Sequence, residues 1–171
     1  MLITAGMLFR LHGEIISVVE ATEHSVTYKV IDNITGNAEH GGTRARNGFE
    51  KTAREIKLNK DGSKNNVQDL TPADFPPGVP AFKWKRGLFY RSNNSGYTDR
   101  LIEAGIYTRE DVIGDCFDSD GVNGSCDVYG MNMEMALRQN FYNKDKIYLL
   151  RHQLDILEKY ATEFAEETII F

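Results

Sequence analysis

The chain has 171 residues, 41% of them apolar, and its 25 acids against 20 lysines and arginines give a formal charge of -5. That length and apolar content suit one ordinary domain or two small ones, and the acidic balance excludes a generic histone-like DNA binder while leaving room for a local basic patch. The first residues lack the apolar run and small-residue cleavage site of a signal peptide, and no segment approaches ~18 consecutive apolar residues, so a soluble cytoplasmic protein without membrane contact is expected.

Residues 7–35 alternate as strands: Leu8 to Leu11, then Ile15, Ile16, Val18 and Val19, then Val26, Tyr28, Val30 and Ile31. Gly13, Glu23-His24 and the Asn33 to Gly36 segment punctuate them as turns. Several short strands in ~55 residues predict a small curled sheet closed as an SH3-like barrel over residues 1–58. A strand and a short helix follow, with Phe49, Ala53, Ile56 and Lys57 on one helix face. All four prolines, Pro72, Pro76, Pro77 and Pro80, fall in a polar, turn-rich stretch, and 59–76 is read as a linker.

Residues 77–171 read as an α+β module. Ala81 to Arg91 is a strand or hairpin around Arg86-Gly87, and SNNSG at 92–96 is a tight turn. Thr98 caps a short helix over 99–104, and Thr108 caps a second one from Arg109. Residues 115–130 are loop by composition. Met133 to Phe141 favour a helix, and 146–167 a longer amphipathic one in which Ile147, Leu150, Leu154, Leu157, Ala161 and Phe164 step by three and four. The terminal TIIF is a strand or a partner contact. The whole is an α+β protein: a small SH3-like β barrel, then an α+β module ending in a long helix.

Chemistry is sparse. The four histidines are scattered, and no HExxH, CxxC, G-x-S-x-G, G-x-G-x-x-G or G-x-x-x-x-G-K-[ST] pattern occurs. The run Asp115, Asp118, Asp120, Asn123 and Asp127 suggests a calcium loop, but an EF-hand needs oxygen ligands at positions 1, 3 and 5, glycine at 6 and glutamate at 12; neither possible start supplies them. Cys116 and Cys126 form a small disulfide or stay reduced, and no second pair completes a zinc site. No metal, no cofactor and no enzymatic activity are expected.

The basic residues carry more. Residues 40–60 hold Arg44, Arg46, Lys51, Arg54, Lys57 and Lys60 against Glu50 and Glu55; residues 81–109 hold six cations against two acids. The expected nucleic-acid-binding set is Arg44, Arg46, Lys51, Arg54, Lys83, Trp84, Lys85, Arg86, Arg91, Asn93, Asn94, Tyr97 and Arg100. In it the cations meet phosphates, Trp84 or Tyr90 stacks on a base, and the asparagine turn reads a nucleotide. Equally, Phe82, Trp84 and Leu88 are core with the cations on the wet face, and Asn93, Asn94 and Ser95 serve Asx-turn geometry.

The segment RLHGEIISVVEATEHSVTYKVIDNITG resembles the opening strands of a KOW, Tudor or SH3-like module, and GYTDRLIEAGIYT with MNMEMAL resembles a motif of small tailed-phage proteins. Together they are similar to the MotB-like early accessory proteins of T4-type phages. That resemblance implies a non-enzymatic early protein in the host cytoplasm, associated with the nucleoid, that binds DNA, double-stranded ahead of RNA, and alters host transcription or nucleoid organisation. A nucleotide-sequestering protein and an interaction module aimed at a host factor are the alternatives, with a host protein or a second copy of the chain as further expected partners.

Overall fold

The computed structural model describes residues 1–124, 126–141, 155–156 and 158–159. The expected helix over 146–167 lies mostly outside them, with Asp155, Ile156, Glu158 and Lys159 helical, and the terminal TIIF lies wholly outside. The chain forms two compact units: Met1–Asp74 with Asp118–Asn123, and Phe75–Phe117 with Gly124–Phe171.

In unit 1 the alternating segments become β1 (Leu8–Leu11), β2 (Glu14–Ala21), β3 (Ser25–Ile31) and β4 (Ala38–Ala45), followed by α1 (Arg46–Thr52) and the short β5 (Arg54–Ile56). A two-residue turn joins β1 to β2, with His12 and Gly13 both at positive φ (52° and 90°), the backbone that matches strand twist in tight hairpins. Between β3 and β4, Asp32 Oδ1 accepts the N–H groups of Ile34 at 2.9 Å and Thr35 at 2.6 Å. All pairings are antiparallel, in the order β4-β3-β2-β1-β5. Gly41 in β4 crosses a register irregularity of β3, where an added Cβ would sit 1.5 Å from the Tyr28 carbonyl oxygen, so this position admits no side chain.

The expected SH3-like closure does not occur. The sheet is open, with β4 and β5 at its two edges among the described residues, whereas a barrel needs its first and last strands paired. Burial explains why. On one face Phe9, Leu11, Ile16, Val18 and Val26 pack with Ile3 and with Phe49 of α1, whose ring meets Phe9 edge-on at 5.1 Å. The opposite face carries Arg10, Ile15 and Ile56. Hydrogen bonds tie the proline-bearing segment to this part of the unit: Arg10 donates to the Gln68 carbonyl at 3.3 Å, and Ala73 N to the Asn33 carbonyl at 3.0 Å. The returning stretch Asp118–Asn123 is held by Asn33 Nδ2 to the Asp120 carbonyl at 2.7 Å and Asn123 Nδ2 to the Val67 carbonyl at 2.9 Å. Phe9, Leu11, Ile16, Val18 and Val26 on one face and Ile15 and Ile56 on the other are thus buried without the sheet closing on itself.

Asp69 in this segment is completely buried and paired with Arg54 and, at 3.8 Å, with Arg10. Burial pulls the Arg10 guanidinium below its ordinary pKa, and the Asp69 charge partly opposes the shift.

Unit 2 contains β6 (Ala81–Lys85), β7 (Leu88–Tyr90), β8 (Tyr97–Thr98), α2 (Arg109–Cys116), β9 (Tyr129–Asn132) and α3 (Met133–Phe141). Its sheet is also open and antiparallel, in the order β8-β7-β6-β9. Thr108 caps α2 as its sequence anticipates, accepting from Asp111 N at 3.1 Å. The helix expected over 99–104 shrinks to one 3₁₀ turn, Leu101–Glu103, while α2 runs on to Cys116 into what composition reads as loop. Among the described residues no helix is long and apolar enough to cross a membrane.

Candidate nucleic-acid interface

Strand alternation sorts the side chains of unit 2. Trp84 pairs with Phe89, Lys85 with Leu88, Phe89 with Thr98 and Tyr90 with Tyr97. Directly opposite residues share a face, so Phe82, Trp84, Phe89 and Thr98 lie on one side and Lys83, Lys85, Leu88, Tyr90 and Tyr97 on the other. The first side is core: Phe82, Phe89 and Met131 are buried, with Phe82 and Phe89 in edge-on contact at 5.9 Å. Trp84 belongs to it, half-buried against Tyr129 at 6.1 Å, across the sheet from the tyrosine pair.

The second side is covered at β9 and β6, where Val112 and Phe117 press on Gly130 so closely that a Cβ there would lie 2.6 Å and 2.8 Å from them. Towards β7 and β8 it is exposed among the described residues: Leu88 is 37% and Tyr97 47% accessible. The Tyr90 and Tyr97 rings meet at 4.7 Å, and the Tyr97 hydroxyl donates to the Tyr90 hydroxyl at 3.4 Å. That bond and partial burial push the Tyr90 phenol up to about 12, so it stays neutral.

The cations differ sharply in availability. Lys83 is only 4% exposed; its ammonium is bound by Asp115, by Asn94 Oδ1 at 3.3 Å, and by the Tyr107 ring at 4.2 Å. Arg91 and Arg100 share one carboxylate, Glu103, each at 2.7 Å, so that trio keeps a net positive charge. Glu103 is held below its ordinary pKa by the Thr98 hydroxyl first and by Arg91 next. Lys85 and Arg86, at the β6–β7 turn, have no acid partner among the described residues, and Arg86 is exposed at φ 50°.

The asparagine turn is built rather than loose. Asn93 and Asn94 both adopt left-handed backbone, φ 57° and 53°, which asparagine tolerates better than most residues. Tyr107 fixes the turn: its hydroxyl donates to the Arg91 carbonyl and accepts from Asn94 N at 3.2 Å. Gly105 packs so tightly beneath it that a Cβ would stand 2.6 Å from Ser92 N. Asn94 is thus committed to Lys83 and Tyr107, while the exposed Asn93 side chain has no partner among the described residues.

The remaining expected residues belong to unit 1. Arg46 bonds to Glu50 at 3.0 Å and to the carbonyls of Thr22 and Met1, both at 2.8 Å. Arg54 is paired with Asp69. Arg44, on the edge strand β4, lies 3.2 Å from His12 Nε2, and Lys51 is exposed on α1. Unit 1 also has a cleft of about 640 Å³ whose lining includes Glu14, Asp32, Glu39 and Asp120. The Thr35 backbone N–H holds Asp32 below the ordinary carboxylate range. Such a recess repels phosphate.

Among the described residues no group of three or more His, Cys, Asp and Glu could hold a metal ion; Asp118 Oδ1 instead accepts Asp120 N and Val122 N, both at 2.9 Å. Both cysteines are free thiols: Cys126 exposed, and Cys116 buried with its pKa pushed up to about 12 by desolvation. Sequence reading missed the strand β8 and with it the cross-strand pairing of Tyr90 and Tyr97. The available signal was a turn ending in Gly96 followed by Tyr-Thr, which is compatible with a third strand as well as with a helix cap. No family model, curated protein or solved structure matches the chain.

Proposed function

We propose that this chain is a non-enzymatic nucleic-acid-binding protein that uses the exposed β7–β8 side of the unit 2 sheet. The carrying observation is that Lys85 and Arg86, without acid partners among the described residues, stand at the β6–β7 turn, while the exposed Tyr97 lies on β8, paired to the other edge of β7, with the net-positive Arg91–Glu103–Arg100 trio on the turns that flank β8. Phosphates would meet Lys85 and Arg86 first. Lys83 acts as a buried strut that fixes Asn94 and Tyr107, since 4% exposure leaves it no room for a phosphate. The phage-protein resemblance supplies a setting for such binding, the modulation of host transcription or nucleoid organisation.

The test is fluorescence anisotropy of labelled oligonucleotides, single-stranded and duplex, over a salt series. Affinity is expected to fall as salt rises. The double variant Lys85→Ala/Arg86→Ala should flatten the log–log slope by about 0.7 per lost contact for a single strand or about 0.9 for a duplex. Absence of binding at about 50 mM salt, where phosphate contacts are strongest, overturns the proposal.

A further inference from the structure

Resting on that reading, the geometry points to a base-stacking subsite at Tyr97, backed by Tyr90, which makes the ligand an unpaired strand of nucleic acid rather than a duplex. In a duplex each base already has its π faces against its neighbours; an aromatic side chain on an open sheet finds a base to stack on only where the strand is unpaired.

Three features of the face fit an unpaired strand. Tyr97 is 47% exposed on a two-residue edge strand, so about half of its surface is open to an incoming base. Its ring rests against Tyr90, and antiparallel pairing fixes both backbones, so little freedom is lost when a base arrives. The cationic row comes next: Lys85 and Leu88 lie opposite each other two residues along the strands from Tyr90, a step of roughly 7 Å. One side of the platform therefore offers a ring and the adjoining row a positive charge, the alternation that base and phosphate present. Asn93, exposed at the neighbouring turn, adds an amide that can both donate and accept at a base edge. The neutral Tyr90 phenol places no negative charge beside the phosphates.

The experiment uses the full chain, an unstructured oligo-dT and a duplex of equal length, with Tyr97→Ala, Tyr97→Phe and Lys85→Ala/Arg86→Ala. Far-UV circular dichroism melts check that each variant folds, and the Phe variant keeps the ring should Ala perturb the sheet. Oligo-dT is expected to bind more tightly than the duplex. Tyr97→Ala should lose roughly 5- to 150-fold in affinity for it with an unchanged salt slope, while Tyr97→Phe stays close to wild type. Lys85→Ala/Arg86→Ala should change the slope instead. Equal affinity for strand and duplex, or an unaffected Tyr97→Ala, overturns the stacking subsite while a slope still sensitive to Lys85 and Arg86 leaves the phosphate reading standing. Binding to neither oligonucleotide overturns both.

Discussion

Replacing Asp69 with alanine tests whether the buried ion cluster, rather than the proline-bearing segment's own propensity, holds that segment on unit 1. Removing one partner of a buried pair leaves an uncompensated charge and costs about 3–5 kcal/mol. Two observations place Asp69→Ala at the lower end. The Arg54 side chain is 47% exposed and can turn to water, and Arg10, at 16%, keeps its bonds to the Gly13 and Gln68 carbonyls at 3.1 Å and 3.3 Å. A loss of about 3 kcal/mol, or about 10–25 °C in melting temperature for a domain of this size, is expected. Asp69→Asn, which keeps an acceptor but no charge, should cost less. The assay is urea unfolding followed by far-UV circular dichroism and by amide exchange in β1 and β5, because the sole tryptophan, Trp84, lies in unit 2 and its fluorescence reports there. The double variant Arg10→Met/Asp69→Leu, which removes both buried charges, should recover much of the loss. An Asp69→Ala protein within about 1 kcal/mol of wild type would refute the reasoning, since the pair would then contribute no more than a surface one.

Gly41→Ala should fail to form the β3–β4 pairing, since a Cβ 1.5 Å from the Tyr28 carbonyl oxygen exceeds the ordinary overpacking cost of about 1–3 kcal/mol; loss of exchange protection in β3 is the readout. Glu103→Gln should tighten oligonucleotide binding about 2- to 5-fold at low salt by removing the carboxylate that Arg91 and Arg100 share, read by anisotropy. A thiol reagent at pH 8 should label Cys126 and spare Cys116 until urea exposes it. The folded-state pKa of Cys116 is raised to about 12, so the native state holds its proton longer than the unfolded chain. Its contribution is fully present below the unfolded value of about 8.5 and declines as pH rises towards 12; the urea midpoint should fall between pH 8 and pH 10.5, and more shallowly in Cys116→Ala.

The strands of residues 8–31 are readable in sequence because alternation over a half-buried sheet is a local signal, and the Thr108 cap because it spans three residues. Barrel closure is not local. Period-two patterning assigns Phe9 and Ile16 to one face, but whether β4 reaches β5 depends on what else packs on the sheet, and residues 118–123, which bond to Asn33 and Val67 of unit 1, lie far along the chain and read as a solvated acidic loop. At the site, sequence places the cations and the asparagine turn in one segment, yet it offers no means of telling the buried Lys83 from the half-exposed Lys85, two residues apart on one face. That distinction comes from Asp115, contributed by the last turn of α2, where composition already reads as loop. In sequence Tyr97 stands out only through its neighbours, and strand pairing reveals Tyr90 as its support.

The stretch Asp118–Asn123 returns to unit 1 after the chain has already built much of unit 2. A nascent polypeptide released to residue 74 lacks the strip that accepts from Asn33 and donates to Val67. Roughly fifty more residues, some 2–10 s of translation, must leave the ribosome before the first unit can finish folding. For the same reason a fragment cut after residue 74 exposes what the strip covers, and an excised unit 1 would need residues 118–123 grafted on through a new connection.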